Sequence, residues 1–154
     1  MSRYEVVASA HIHALAARIY SILKDYRNGH PHILPQQYFR SLEVQQGGVG
    51  AGTVIRFQMR VMGSTRTFTS TISEPEPGRV LAETDADSGV VTKFTVDPDP
   101  QAQGSVVTIQ TELNARKGIG GSIERFMTTR LLRRIYSEEL QLIEEVVTQE
   151  PSQA

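Results

Sequence analysis

The chain has 154 residues, enough for one domain that buries roughly 70% of its extended-chain surface. Its 16 basic and 17 acidic side chains leave a net charge of −1, a balance that argues against a nucleic-acid scaffold or a polybasic membrane anchor. It has no cysteine, which excludes disulfides and thiolate chemistry.

The opening stretch, MSRYEVVASAHIHALAARIY, carries charges at Arg3 and Glu5 and no long apolar run. It reads as neither a signal peptide nor a membrane span, and the expected location is the cytoplasm. Residues 3–12 are β-rich and predict a first strand. A helical period follows, with Leu15, Ile19, Ile22, Leu23 and Tyr26 on one face and Asn28-Gly29 as the stop. The segment HPHILPQQ, with prolines at 31 and 35, allows at most a short helical turn.

From Tyr38 to Leu113 the period changes to two. Six strands with a turn signal between each predict an antiparallel meander, which with the first strand makes about seven. The clearest segment is TVIRFQMRVMG. Ile55, Phe57, Met59 and Val61 point one way there, and Arg56, Gln58 and Arg60 the other. After KGIGG, a stripe of Ile123, Phe126, Met127, Leu131, Ile135, Leu142, Ile143 and Val146 predicts a long helix capped at Ser122. It runs about 26 residues, or roughly 39 Å. Pro151 ends it, leaving residues 151–154 as a frayed tail. No linker divides the chain, so residues 1–150 read as one domain.

A helix of that length with a bare apolar stripe must lie on something, and the sheet is its one partner of matching length. A twisted meander wraps such a helix from one side. Short residues assigned to the inward face (Ser70, Ala82, Thr84, Thr92 and Thr108) predict a gap between sheet and helix that suits a small apolar molecule. The alternative is that Phe57, Phe94, Phe126 and Met127 fill the space.

The order strand, helix, short helix, meander, long helix resembles the START-like helix-grip superfamily, also called SRPBCC. The nearest branch is the polyketide cyclase/dehydrase and lipid-transport group. The resemblance spans about residues 3–147 and rests on AHIHALAARIYSILKDY with Asp25 ending the first helix, the GGVGAGT turn, the EPEPGR break and GGSIERF at the start of the last helix. It implies an α+β helix-grip fold: a curved antiparallel sheet around the C-terminal helix, with two short helices after the first strand. The superfamily includes lipid carriers, hormone receptors, oxygenase subunits and aromatases, so the resemblance specifies a fold and not a function.

His11 and His13, alternate residues of a strand, share a face and supply half of a metal site, but no third ligand at matching spacing accompanies them. The reading is of polar edge residues and no metal. GGVGAGT lacks the Gly-Lys-Ser/Thr ending of a phosphate loop and precedes a strand, so its glycines serve a tight turn. Glu83, Asp85 and Asp87 read as solvated, and Tyr20 and Tyr136 as packing residues. The expected ligand-binding set is Tyr26, His30, His32, Tyr38, Phe57, Met59, Phe94, Phe126, Met127 and Arg130, with Arg66 near the mouth. Arg130 is assigned either to anchoring a ligand oxygen or to a solvated flank. No Ser-His-Asp order, paired-carboxylate signature or redox motif is visible.

Three functions are therefore weighed. They are binding, transport or sensing of a small hydrophobic ligand; cyclase, aromatase or dehydratase action on a polyketide-like substrate, with His30, His32, Tyr26 and Arg130 as its polar groups; and a protein-interaction domain. The first is favoured, with no cofactor, no nucleic acid, no stable membrane insertion, and a monomer or homodimer.

Overall fold

A computed structural model describes residues 2–149. Strand β1 (Arg3–Ile12) leads into helix α1 (Ala16–Lys24) and a 3-10 turn (His30–Ile33). The meander follows as β2 (Phe39–Gln46), β3 (Val54–Val61), β4 (Ser64–Glu76), β5 (Val80–Asp85), β6 (Val91–Pro98) and β7 (Ser105–Asn114). Helix α2 (Gly118–Gln149) completes the chain. All seven strands form one antiparallel sheet in the order β1-β7-β6-β5-β4-β3-β2, so the first strand pairs with the last and the expected helix-grip architecture holds. The expected tail, 151–154, lies outside the described residues.

Alternation along each strand decides the core. Tyr4, Val6 and Ile12 of β1, Ile55 of β3, Ile72 of β4, Leu81 of β5, Phe94 of β6 and Ile109 of β7 are all buried, and Ile135 and Ile143 of α2 cover them. Arg56, Gln58 and Arg60 face water, as the period predicted. The register corrects part of the inward set. Leu81 pairs with Phe94 and Glu83 with Thr92, so Ala82 and Thr84 lie on the opposite face. Thr108 also faces outward, where its hydroxyl meets that of Ser9 at 3.0 Å. Ser70 and Thr92 do point inward. Reading the face one residue out of step at β5 and β7 is the error a period of two permits.

Helix α1 stops earlier than its apolar pattern suggested. Asp25 leaves the helix with φ −91° and ψ 94°, and its Oδ1 accepts the backbone N–H groups of Arg27 and Asn28. Tyr26 is therefore beyond the helix, donating its N–H to Gly48 O at 2.9 Å. Leu15, placed on the apolar face by sequence, is the extended residue before α1 and is 76% exposed.

The glycine-rich turn between β2 and β3 is what holds the end of α1. Gly50 donates to Lys24 O at 2.9 Å, and Gly52 to Ile72 O. Gly50 has φ +70°, and a Cβ there would lie 2.7 Å from Glu74 Oε2, so conformation and space both demand glycine. Glu74 is the tie between three elements. Its Oε2 accepts the Ala51 N–H at 2.9 Å, and its Oε1 accepts the Tyr20 hydroxyl of α1 at 2.7 Å. The Ala51 N–H, and then the Tyr20 hydroxyl, hold the Glu74 carboxyl below its usual range.

Helix α2 starts at Gly118, ahead of the expected cap. Ser122 is inside it and donates back to Gly118 O instead of capping. At 32 residues it is about 48 Å long, and most of its buried residues fall in its second half. Ile135, Tyr136, Glu139, Leu140, Ile143 and Val147 are buried, whereas Ile119, Ile123 and Phe126 are 55–82% exposed. The first turns overhang the sheet, contrary to an apolar stripe sheltered along its whole length. Among the described residues no helix is long and apolar enough to cross a membrane.

Because Glu74 is held ionised by the folded state, its contribution is present above the ordinary carboxylate range and is lost as pH falls through the lower folded value. Urea unfolding of Glu74→Gln at pH 7 is expected to show a loss of about 1 kcal/mol relative to the unmodified chain. The gap should narrow as pH falls below the ordinary carboxylate range and through the lowered folded value, where the native carboxyl too takes up its proton. A gap independent of pH would assign the loss to shape alone.

Candidate functional site

Between the concave face of the sheet and α2 lies a cavity of about 640 Å³. Its depth can be read from the exposure of its lining. Met62 in the β3–β4 turn is 77% exposed and Met127 on α2 is 44% exposed, which places the mouth between these two elements. At the other end Phe94, Ile135, Tyr136 and Glu139 are at most 6% exposed. Phe57, Met59, Phe68 and Leu131 form the apolar wall between. A shallower hollow of about 270 Å³ beside Arg3, Lys93 and Glu112 lies on the outer face of the sheet and is lined by solvated charges.

The inner end is polar, and strand register makes it so. Glu83 of β5 pairs with Thr92 of β6, which pairs with Thr111 of β7, giving one polar row across the inward face. Thr92 and Thr111 share a hydrogen bond of 2.8 Å, and Thr111 shares another with the Tyr136 hydroxyl of α2. On the α1 side, the Tyr26 hydroxyl donates to Glu83 Oε2 at 2.6 Å. His30 Nδ1 donates to Leu23 O at 2.7 Å, which turns Nε2 toward Glu83 Oε2 at 3.4 Å. The imidazole stacks on Tyr26 with centroids 4.4 Å apart and meets the edge of Phe94 at 5.4 Å. Packing from both sides thus fixes the ring that fronts Glu83.

Glu139 faces this row from α2. It is 3% exposed, and among the described residues nothing hydrogen-bonds to its carboxyl. Burial, and then the nearby Glu83, push its pKa well above the usual carboxylate range. Burial likewise pushes the Tyr136 hydroxyl up to about 12, and burial, and then Glu83, raise Tyr26 well above its usual range. Asp85, the next residue of β5 on the same face, accepts from the Ser88 N–H and hydroxyl through Oδ2, while its Oδ1 is buried without a partner.

The sequence-derived set divides in three. Phe57, Met59, Phe94 and Met127 line the cavity, and Arg66 sits at its mouth. Tyr26 and His30 are buried behind Glu83, and Tyr38 is half-buried against the core. His32, Phe126 and Arg130 are exposed and lie outside the lining, because the turn around Pro31 and the overhang of α2 carry them into solvent. Sequence reasoning missed Glu83, Asp85, Tyr136 and Glu139. Glu83 and Asp85 had been read as solvated because they precede a turn, and Tyr136 as a packing residue. A signal for Glu139 was available: it is one helical turn from Ile135 and from Ile143, on the buried face.

His11 and His13 are engaged elsewhere, His11 Nδ1 with Asp99 Oδ2 at 2.9 Å and His13 Nδ1 with Glu144. Among the described residues no three His, Asp or Glu side chains are grouped so as to hold a metal ion.

A carboxyl that keeps its proton longer in the native state than in the unfolded chain lowers stability as pH rises from the unfolded value toward the folded one. Glu139→Gln removes that loss. Its melting temperature is expected to exceed that of the unmodified chain by a margin that widens as pH rises above the ordinary carboxylate range toward the raised folded value. A constant or shrinking margin would mean that Glu139 ionises as a solvated residue does.

Several solved structures share this architecture. The KanY protein is 28% identical, with 96% of this chain and 99% of that one covered and a TM-score of 0.82. The Zhui aromatase/cyclase from Streptomyces sp. R1128 is 17% identical over 96% of this chain and 95% of its own, with a TM-score of 0.76. A START superfamily protein from Mycobacterium smegmatis is 14% identical over 94% and 97%, with a TM-score of 0.73. At those last two identities the likeness is one of fold. No curated protein matches the chain. The family model for polyketide cyclase / dehydrase and lipid transport matches residues 3–148, nearly all of the sequence, and the chain belongs to that family.

Proposed function

We propose that the protein binds a small hydrophobic molecule, for transport or sensing, in the cavity between its sheet and α2. The observation that carries this reading is the division of that cavity into an apolar wall of Phe57, Met59, Phe68 and Leu131 and a polar end at the half-buried Glu83 and the buried Glu139. Such a division suits a ligand with a large apolar body and one polar group, since the wall rewards area removed from water and the end orients the molecule. Membership of a family that includes lipid transport supports it.

The test is saturable binding of the neutral dye Nile red, followed by its fluorescence. Leu131→Trp, which projects a larger ring into the cavity from a half-buried helix position, is expected to weaken the dye at least about tenfold with the helical circular dichroism unchanged. Unaltered dye binding in that variant would place the dye elsewhere and remove the support.

A second reading, cyclase or dehydratase action on a polyketide-like substrate, is favoured by one feature. Glu83, held between Tyr26 and His30, and Glu139, whose burial favours its protonated form, put an acceptor and an acid at the same closed end. Proton removal beside a keto group and protonation of a leaving hydroxyl require that combination. Turnover of a poly-β-keto substrate that falls at least about a hundredfold in Glu83→Gln would move the assignment to this reading. Equal turnover in both proteins would remove it.

A further inference from the structure

The inner end of the cavity holds more hydrogen-bond acceptors than the protein supplies donors for. The Tyr26 hydroxyl is committed to Glu83 Oε2 and His30 Nδ1 to Leu23 O. The Thr92, Thr111 and Tyr136 hydroxyls are joined to one another. Left over are Glu83 Oε1, both oxygens of Glu139, and the buried Asp85 Oδ1, to none of which a described residue donates. Asp85 Oδ1 is buried outright, and the Glu83 and Glu139 oxygens open onto the cavity from its two facing walls, so a molecule entering there meets acceptors from both sides. The charges agree. Glu83, Asp85, Glu124 and Glu139 line the cavity, and the basic residue of the lining, Arg66, is exposed at the mouth.

We propose that the molecule this cavity accepts carries a protonated amine on an apolar frame, with the ammonium group seated between Glu83 and Glu139. The proposal rests on the reading of the cavity as a ligand site and specifies the chemistry of the ligand's polar end. An ammonium brings three donors and no acceptor, which matches the surplus, and its charge offsets the mutual repulsion of the two carboxyls. A hydroxyl brings one donor together with a further acceptor. A carboxylate adds a like charge beside two carboxyls, so a free fatty acid is the poorest match of the three.

A consequence concerns protons. Glu139 faces Glu83 of β5, Tyr26 beyond α1 and Tyr136 on its own helix, with His30 behind Glu83 and the uncharged Thr92 and Thr111 on β6 and β7. None of the residues facing it supplies a lysine or arginine there, so the entering ammonium is the cation that lets Glu139 ionise. Its proton leaves to solvent as the amine binds, and affinity for the amine rises with pH.

The test is calorimetric titration with three naphthalenes that share a two-carbon arm ending in an amine, an alcohol or a carboxylate. The amine is expected to bind at least about tenfold more tightly than the alcohol, and the carboxylate most weakly. Amine affinity should rise by up to about tenfold per pH unit while Glu139 is protonated, and alcohol affinity should stay level. Glu139→Gln, checked for intact circular dichroism, should abolish both the pH slope and most of the amine's advantage while retaining the alcohol. If the alcohol or carboxylate matches the amine, the amine assignment is wrong and the cavity reading survives. If none of the three binds and Nile red also fails, the cavity reading falls and takes the amine with it.

Discussion

The burial of Glu139 is the constraint around which the rest of this molecule is arranged. An unpaired carboxyl in a dry site costs several kcal/mol if ionised and a smaller amount if it keeps its proton without a hydrogen bond. Nothing in the packing of α2 asks for an acid at that position. Its neighbours on the same face are Ile135, Leu140 and Ile143, and a leucine would continue the row. The acid instead opens onto a space that the sheet does not fill, opposite a second carboxyl that tyrosine and histidine hold in place. Stability has been forgone at an acid that opens onto the cavity, where the proposed ligand would bind.

The scaffold gives that site its rigidity from one side and its opening from the other. On the α1 side, Asp25 stops the helix, the glycine turn binds its last carbonyl, and Glu74 links turn, helix and β4. Tyr26 and His30 follow directly, so the groups that orient Glu83 stand on the most interconnected part of the chain. At the mouth, by contrast, the β3–β4 turn reaches Met62 at φ +52°, and the first turns of α2 project past the sheet. The closed end is polar and fixed; the open end is apolar and thinly packed.

How far the sequence foretold this differs between fold and site. Period-two alternation and glycine- or proline-marked turns made the seven strands legible, and the clean pattern of β3 put Phe57 and Met59 on the correct face. Helix ends were less legible because capping is a matter of single hydrogen bonds. The apolar period carried α1 on to Asn28-Gly29, although the resemblance had it end at Asp25, where it does, and Gly118 rather than Ser122 begins α2. The site was half legible. Its apolar wall follows from periodicity, but Glu83 lies near a strand end, where a carboxylate is usually solvated, and only its register with Thr92 and Thr111 turns it inward. Phe126 was misplaced for the converse reason, since an amphipathic stripe does not say where the sheet beneath it ends.

The most direct test is a pH titration of the glutamate side-chain carboxyl carbons by nuclear magnetic resonance, with Glu139→Gln identifying the signal. One carboxyl should titrate well above the others and should lose its proton, at constant pH, when an apolar amine is added. If every glutamate titrates in the ordinary carboxylate range, and none responds to the amine, then Glu139 is in contact with water and the dry, acidic cavity described here does not exist.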